Sequence, residues 1–162
     1  MTTLMSKEIR STLTSKGYIE ISILTMDKPT PAEDEVLIRV EASPINPSDL
    51  GLLLTFAADL NDIQIIGSGD QTVTKIKVND RLMKAMTQRL DQSMQVGNEG
   101  GGIVEDAGLS FKNLIGKTVG VAGGAMYSQY RCVPARNCLV MDDETHPVEA
   151  ASSFVNPLTV LA

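Results

Sequence analysis

Short stretches that favour β-strands recur along this chain, and glycine, asparagine or proline separates nearly every one from the next. Residues 18–26 are rich in β-branched side chains. In residues 36–41, Val36, Ile38 and Val40 alternate with Leu37, Arg39 and Glu41. Such alternation is typical of a strand with one buried face. Further strands are predicted at 102–106, 118–122, 128–133 and 138–141. Several short strands at this spacing predict a mainly β (α+β) protein, built as a barrel or a sandwich.

One helix is predicted over residues 79–93. Three apolar side chains recur there at four-residue steps and would share one face of a helix: Leu82, Met86 and Leu90. Asn79 or Asp80 stands where a helix cap is expected. We interpret this face as a stripe packed on the core, without a functional signal.

Proline marks the start of two further helices near the end of the sequence. Pro147 suits a first helical position. Pro157 cannot lie inside a helix without the loss of a backbone hydrogen bond, so Asn156 is expected to cap a new helix with Pro157 first. That helix is apolar and stops with the sequence. We therefore expect residues 1–155 to form one domain and residues 156–162 to begin a helix that leads into a domain outside this chain.

The charge balance argues against a nucleic-acid-binding protein. The net charge is −6 and the sequence pI is near 4.7, whereas phosphate binding needs clustered lysine and arginine. No apolar run approaches the roughly 18 residues that cross a bilayer, and the polar N-terminus shows no secretory signal. These features predict a cytoplasmic protein that binds neither nucleic acid nor membrane.

The sequence motifs contain neither a dinucleotide-binding loop nor a set of metal ligands. The glycine-rich segments do not form G-x-G-x-x-G between a strand and a helix. They are interpreted as turns and tight strand crossings: 67–69, 97–102 and 123–124. His146 is the single histidine, and beside Pro147 it is expected at the surface or as a helix cap. Cys132 and Cys138 have a spacing that fits no zinc motif, so no metal is expected.

Five sequence blocks occur together in a recognisable order. They are PINPSDL at 44–50, GNEGGGIV at 97–104, GKTVGV at 116–121, YSQYRCVPA at 127–135 and NPLT at 156–159. In these blocks the chain resembles the medium-chain dehydrogenase/reductase superfamily, and within it the zinc-free quinone oxidoreductase and 2-enoyl thioester reductase branches.

The resemblance implies a GroES-like, partly open β-barrel with a few short helices, whose Rossmann domain is absent from this chain. It also implies NADPH as the cofactor, with NADH as the alternative, bound between the two domains. The substrate would be a small molecule, either a quinone or an α,β-unsaturated carbonyl or thioester compound. The chain alone is expected to be inactive, and the resemblance is compatible with a homodimer of the complete enzyme.

Departures from the family pattern refine this expectation. Zinc-dependent members carry cysteine where this chain has Pro47, and histidine where it has Asn98, so no zinc is expected. The enoyl reductase branch places a catalytic tyrosine shortly after its NPSD block. Here the nearest aromatic residue is Phe56, which cannot donate a proton. The expectation is therefore the broader quinone or enone reductase class.

The resemblance also suggests site residues. Those expected beside the cofactor are Asn46, Ser48, Asp49, Asn156 and Thr159. Those expected beside the substrate are Phe56 and Met126, and Tyr127 is the preferred proton donor. Turn formation is an equal alternative for Asn46 and Asp49, as helix capping is for Asn156. Glu99 is interpreted as a buried carboxylate that fixes neighbouring backbone.

Two further questions stay open at the level of sequence. Residues 58–94 separate the first two blocks by more than is typical, and could form a surface insertion, which we prefer, or a lid over the cleft. The chain could also be a stand-alone GroES-like binding or assembly module without enzymatic activity, including a chaperonin cofactor.

Overall fold

The structure of this protein is a computed structural model that describes residues 4–55 and 58–162. The chain divides into two compact units. The first unit contains the described part of the first seven residues, Thr25–Asn46 and Gly97–Ala162, and the second contains Glu8–Leu24 and Pro47–Val96. Each unit has its own antiparallel sheet and its own apolar core.

The described residues form ten strands and four α-helices. The strands are β1 (Met5–Thr14), β2 (Tyr18–Asp27), β3 (Glu35–Ala42), β4 (Ala58–Ile66), β5 (Val73–Val78), β6 (Ser93–Gln95), β7 (Glu99–Ala107), β8 (Thr118–Ala122), β9 (Tyr130–Pro134) and β10 (Cys138–Val140). The helices are α1 (Pro47–Leu54), α2 (Asp80–Ala85), α3 (Pro147–Ala150) and α4 (Val155–Leu161). All six predicted strands are confirmed, with ends that differ by up to three residues.

The first unit is built on a sheet of order β10-β8-β7-β3-β9, in which every neighbouring pair is antiparallel. The period of two in β3 places Val36 and Ile38 in the core, with Val40 packed at its margin. Side chains from the adjacent strands complete this core: Val104, Val119, Val121 and Val133. The core is aliphatic, as expected for a chain with 4% aromatic residues.

A pair of glycines lets α3 approach this sheet closely. Gly101 of β7 lies directly opposite Gly120 of β8. A Cβ atom added to Gly101 would lie 2.3 Å from the carbonyl oxygen of Pro147, and one added to Gly120 would lie 2.7 Å from that of Ala150. Only a residue without a side chain permits such contact between helix backbone and sheet. The interpretation of residues 97–102 as a tight crossing is confirmed.

The sheet of order β4-β5-β2-β1-β6 supplies the second unit with its core. Leu13 of β1, Ile19 of β2 and Val78 of β5 are buried together. Five partly buried side chains pack against them: Ile21, Leu82, Met83, Met86 and Leu90. The predicted core stripe is therefore confirmed.

The helix predicted over 79–93 is shorter than expected. Asn79 caps it, because its side chain accepts the backbone N–H of Leu82 at 2.9 Å. The helix ends at Ala85, and a 3-10 turn then covers Thr87–Arg89. Residues 93–95 are extended because they pair with β1, and this long-range pairing overrides local helix propensity.

Residues 58–94 are largely exposed, yet they also supply strands and core side chains to the second unit, so the choice between a surface insertion and a lid stays a prediction. β5 pairs with β2 in the middle of the sheet, and its Ile76 is buried. The 3-10 turn supplies Arg89, whose guanidinium donates hydrogen bonds to the carbonyl oxygen of Leu52 at 2.6 Å and to Ser11 Oγ at 3.1 Å. Arg89 thus satisfies a carbonyl in the last turn of α1. The edge strand β4 and residues 67–71 after it are largely exposed.

Candidate functional site

The candidate site lies in the first unit and centres on Glu99, the first residue of β7. Its side chain is 0% exposed. One carboxylate oxygen, Oε1, accepts a hydrogen bond from Asn46 Nδ2 at 2.9 Å. The other, Oε2, accepts the backbone N–H groups of Phe154 at 2.9 Å and Val155 at 3.0 Å. A buried carboxylate needs such donors, since the burial of an unpaired charge is costly.

Three segments distant in sequence therefore meet at one carboxylate: the end of the loop after β3, the start of β7 and the start of α4. The hydroxyl of Ser43 adds a second tie between the loop and β7, because it donates to the carbonyl oxygen of Glu99. The interpretation of Glu99 as a buried carboxylate that fixes backbone is confirmed. The backbone that it fixes is more than fifty residues away in sequence.

Two residues predicted to contact the cofactor lie side by side in this network. Asn46 is 3% exposed. Its Oδ1 accepts a hydrogen bond from Asn156 Nδ2 at 3.4 Å, which is long for such a bond. Glu99, Asn46 and Asn156 thus form one polar chain that runs from a buried carboxylate to an exposed amide.

The predicted start of the last helix needs correction. α4 begins at Val155, with Phe154 at the capping position, so Asn156 is not its cap and Pro157 is not its first residue. The Glu99 carboxylate does the capping by accepting the first N–H groups. Pro157 is tolerated because the first four N–H groups of a helix have no intrahelical acceptor.

Thr159, another residue predicted beside the cofactor, lies one turn further along α4. It is exposed, and its hydroxyl donates to the carbonyl oxygen of Val155 at 2.6 Å. The hydroxyl oxygen keeps lone pairs that can accept a hydrogen bond from a ligand.

Tyr127, the predicted proton donor, packs against the same loop. Its hydroxyl donates to the carbonyl oxygen of Pro44 at 2.9 Å, and its ring lies beside Gly97. Gly97 has a φ of 95° and no room for a Cβ atom, which would lie 2.6 Å from Tyr127. Tyr127 is half-buried. The phenolic group is therefore held in place by Pro44 and by the backbone of Gly97.

Met126 lies in the core of the first unit and is 1% exposed. Its side chain contacts Gly100, where a Cβ atom would lie 2.9 Å from its terminal methyl carbon. This location gives no support to a contact with substrate, and that role stays a prediction. Phe56, the other residue predicted beside the substrate, lies outside the described residues.

Ser48 and Asp49 belong to the second unit, in the first turn of α1. Asp49 is 0% exposed, and its acidic side chain suits the positive end of the helix. Ser48 is exposed. α1 was not predicted, although Pro47 at its first position is a recognised start signal. Whether Ser48 and Asp49 share a cleft with Asn46 stays a prediction.

The remaining titratable candidates have structural roles. His146 precedes α3, and its backbone N–H donates to Glu149 Oε2 at 2.9 Å, which confirms its place at a helix start. Burial raises the pKa of the thiols of Cys132 and Cys138 to about 11. Among residues 4–55 and 58–162, no three histidine, cysteine or acidic side chains are grouped to hold a metal ion. The same residues contain no helix long and apolar enough to span a membrane.

Comparison with known proteins places this fold. No protein-family model and no curated protein sequence matches the chain. A candidate NADPH:quinone reductase of Mesorhizobium loti matches with 23% identity and a TM-score of 0.62, over 99% of this chain and 44% of that one. A candidate NADPH:quinone reductase of Bacillus thuringiensis matches with 23% identity and a TM-score of 0.64, over 98% and 40%. The CurK enoyl reductase matches with 16% identity and a TM-score of 0.57, over 90% and 38%.

These likenesses confirm the predicted fold class, a mainly β, GroES-like domain. The chain spans about two fifths of the length of the solved structures it matches. The strand pairs of the first unit are all antiparallel, as are the β1–β6, β2–β5 and β4–β5 pairs of the second, so the described residues hold no Rossmann unit with its parallel sheet.

Proposed function

We propose that this chain is the substrate domain of a zinc-free, NAD(P)H-dependent oxidoreductase. Its substrates would be quinones or α,β-unsaturated carbonyl or thioester compounds. The observation that carries the proposal is the meeting of Asn46 and Asn156 at the buried Glu99. Two asparagines expected at the cofactor, 110 positions apart, share one polar network in a fold that quinone and enoyl reductases also have.

The polar groups of this network suit the nicotinamide end of a dinucleotide. The amides of Asn46 and Asn156 and the hydroxyl of Thr159 offer donors and acceptors of the kind that bind a carboxamide or a ribose hydroxyl. The described residues contain no glycine-rich loop between a strand and a helix to bind the phosphates. The chain would therefore hold the reactive end of NADPH, and a nucleotide-binding domain would hold the rest.

In the proposed reaction the cofactor supplies a hydride to the electron-poor double bond of the substrate. The task of this chain is to stabilise the negative charge that develops on the substrate oxygen and to return a proton. Tyr127 is our candidate donor, because its hydroxyl is held by Pro44 at a fixed position. The polar groups around Asn46 would stabilise the substrate oxygen.

The residues at the two positions that carry zinc ligands in other members support the zinc-free assignment. Pro47 has no side-chain donor atom, and Asn98 is a poor zinc ligand compared with histidine. A cytoplasmic location and a homodimer of the complete enzyme belong to the same proposal. The alternative, a stand-alone GroES-like module without activity, makes no use of the polar network around Glu99.

The test is an assay of the full gene product that carries this chain. NADPH or NADH consumption is followed with a panel of quinones, enones and enoyl thioesters, with and without a metal chelator. We expect turnover of at least one substrate class that the chelator does not reduce, and none with the chain alone. Absence of turnover with every substrate would contradict the proposal and favour the stand-alone module. Loss of activity on chelation would contradict the zinc-free assignment.

A further inference from the structure

The hydrogen bonds around Glu99 have a single direction. An ionised carboxylate only accepts hydrogen bonds, and all three partners of this side chain are donors: Asn46 Nδ2 and the N–H groups of Phe154 and Val155. Each carboxylate oxygen is engaged, one by the loop after β3 and the other by α4. Glu99 is therefore the acceptor at the buried end of the network.

This direction determines how both asparagine amides are turned. Only the nitrogen of an amide donates, so Asn46 must direct Nδ2 toward Glu99 and Oδ1 toward Asn156. Asn156 must in turn direct its own Nδ2 toward Asn46. If Glu99 were a donor at this point, the Asn46 amide would have to rotate by half a turn. The exposed Asn156 amide would have to rotate as well, so that its Oδ1 could accept from Asn46 Nδ2.

We propose that Glu99 is the positioning residue of the candidate cofactor site. Its negative charge orients the amides of Asn46 and Asn156 and holds the first turn of α4 against β7. Because it is fully buried, it acts through these partners and does not touch a ligand. The inference rests on the proposed function only in naming the site as one for a cofactor. The orientation itself is a property of this chain.

Replacement of Glu99 by glutamine tests the direction with almost no change in size. The glutamine side chain has one acceptor group and one donor group, so in E99Q its NH2 group faces either the two N–H groups of α4 or Asn46, where both asparagine amides must then rotate. In either arrangement the N–H groups of α4 lose their hydrogen bonds to a buried charge. We therefore expect amide exchange at Phe154 and Val155 to rise about tenfold or more in E99Q.

A second substitution, of Asn46 by aspartate, reverses the direction of the hydrogen bond between residues 46 and 99 and again pairs a donor with an acceptor. In E99Q/N46D, the NH2 group of the new glutamine donates to one oxygen of the new aspartate, while the glutamine carbonyl oxygen accepts the two N–H groups of α4. The other aspartate oxygen still accepts Asn156 Nδ2. N46D alone places two carboxylates face to face and is expected to be the most damaging variant. The double variant should regain most of the lost protection.

The measurement is hydrogen exchange by NMR on the chain, for wild type, E99Q, N46D and E99Q/N46D. E149Q is the matched control, since Glu149 also accepts a backbone N–H near a helix start, at His146, and should leave Phe154 and Val155 unchanged. Recovery of protection in the double variant, or a folded double variant beside unfolded single ones, supports the proposal. Unchanged exchange in E99Q, or a double variant as damaged as the single ones, overturns it.

Kinetics of the full gene product separate this inference from the proposed function. We expect E99Q to raise KM for NADPH about tenfold or more, because the amides of Asn46 and Asn156 lose the acceptor that orients them. Lack of turnover in the wild type would overturn the proposed function, while the exchange experiment would still decide the role of Glu99. An unchanged KM in E99Q, in an active enzyme, would overturn its role in positioning the cofactor site.

Discussion

Replacement of Gly101 by alanine should separate α3 from the sheet of the first unit. The added Cβ atom would lie 2.3 Å from the carbonyl oxygen of Pro147 and 2.7 Å from the backbone nitrogen of Ala151. Since Cβ contacts below 3.0 Å are essentially not seen, the helix must move by about 0.7 Å. Overpacking of this kind costs about 1–3 kcal/mol, and here the obstacle is backbone, which cannot rotate away. Alanine returns about 0.4–1 kcal/mol by restricting the unfolded chain.

We therefore expect G101A to lower the free energy of unfolding by about 2 kcal/mol, which corresponds to a Tm lower by about 4–8 °C for a chain of this size. Gly123 provides the matched control. It has open space around its Cβ position and is not among the glycines with positive φ. G123A should be neutral or stabilising by up to about 1 kcal/mol. Urea unfolding with a circular dichroism readout measures both variants. Equal stability of G101A and G123A would refute the close helix–sheet contact.

Three further predictions follow from the structure. Y127F removes one hydroxyl that donates to a carbonyl oxygen, so it should cost at most about 1.5 kcal/mol of stability. It should nevertheless lower kcat of the full gene product about 100-fold or more, and an unchanged kcat would exclude Tyr127 as proton donor. R89M leaves a carbonyl at the end of α1 without its donor and should lower the free energy of unfolding by about 1–3 kcal/mol. The control R136M, at an exposed position, should change the free energy of unfolding by less than about 0.5 kcal/mol. Equal effects of the two substitutions would contradict the capping role of Arg89. Burial raises the pKa of Cys132 and Cys138 from about 9 to about 11. The part of the folding free energy that depends on this shift is complete below pH 9 and should be lost as the pH rises toward 11. Iodoacetamide should label both thiols slowly at pH 8 until the chain unfolds, and rapid labelling of the folded protein would contradict their burial.

Strands that carry their own hydrophobic pattern could be predicted from the sequence. β8 was predicted with the bounds it has, because Val119 and Val121 alternate with a period of two and both lie in the core. β1 was missed because its buried face carries Ser6, Glu8 and Ser11, so its hydropathy resembles that of a solvent-exposed tail. Glu8 is accommodated there by an ion pair between its Oε1 and Arg10 Nε at 2.6 Å. The hydrophobic pattern of the segment does not predict this ion pair.

The candidate site, like the fold, could be predicted where neighbouring residues determine it and not where distant segments meet. The motifs placed Asn46, Glu99 and Asn156 among the informative residues, and the buried role of Glu99 was anticipated. Which side chains meet depends on pairing between segments more than fifty positions apart, which one sequence cannot supply. The start of α4 was misplaced for this reason. Asn156 and Pro157 predicted a later start, whereas the carboxylate that accepts the N–H of Val155 belongs to the distant strand β7.

The most direct test of the proposed function follows the hydride itself. The full gene product is incubated with NADPH deuterated at the transferable position and with an enone, and the reduced product is analysed by mass spectrometry and NMR. We expect one deuterium at the β-carbon of the product and a solvent-derived proton at the neighbouring carbon. A reduced product without the label, or no product with any enone or quinone, would contradict the assignment of this chain to a hydride-transferring reductase.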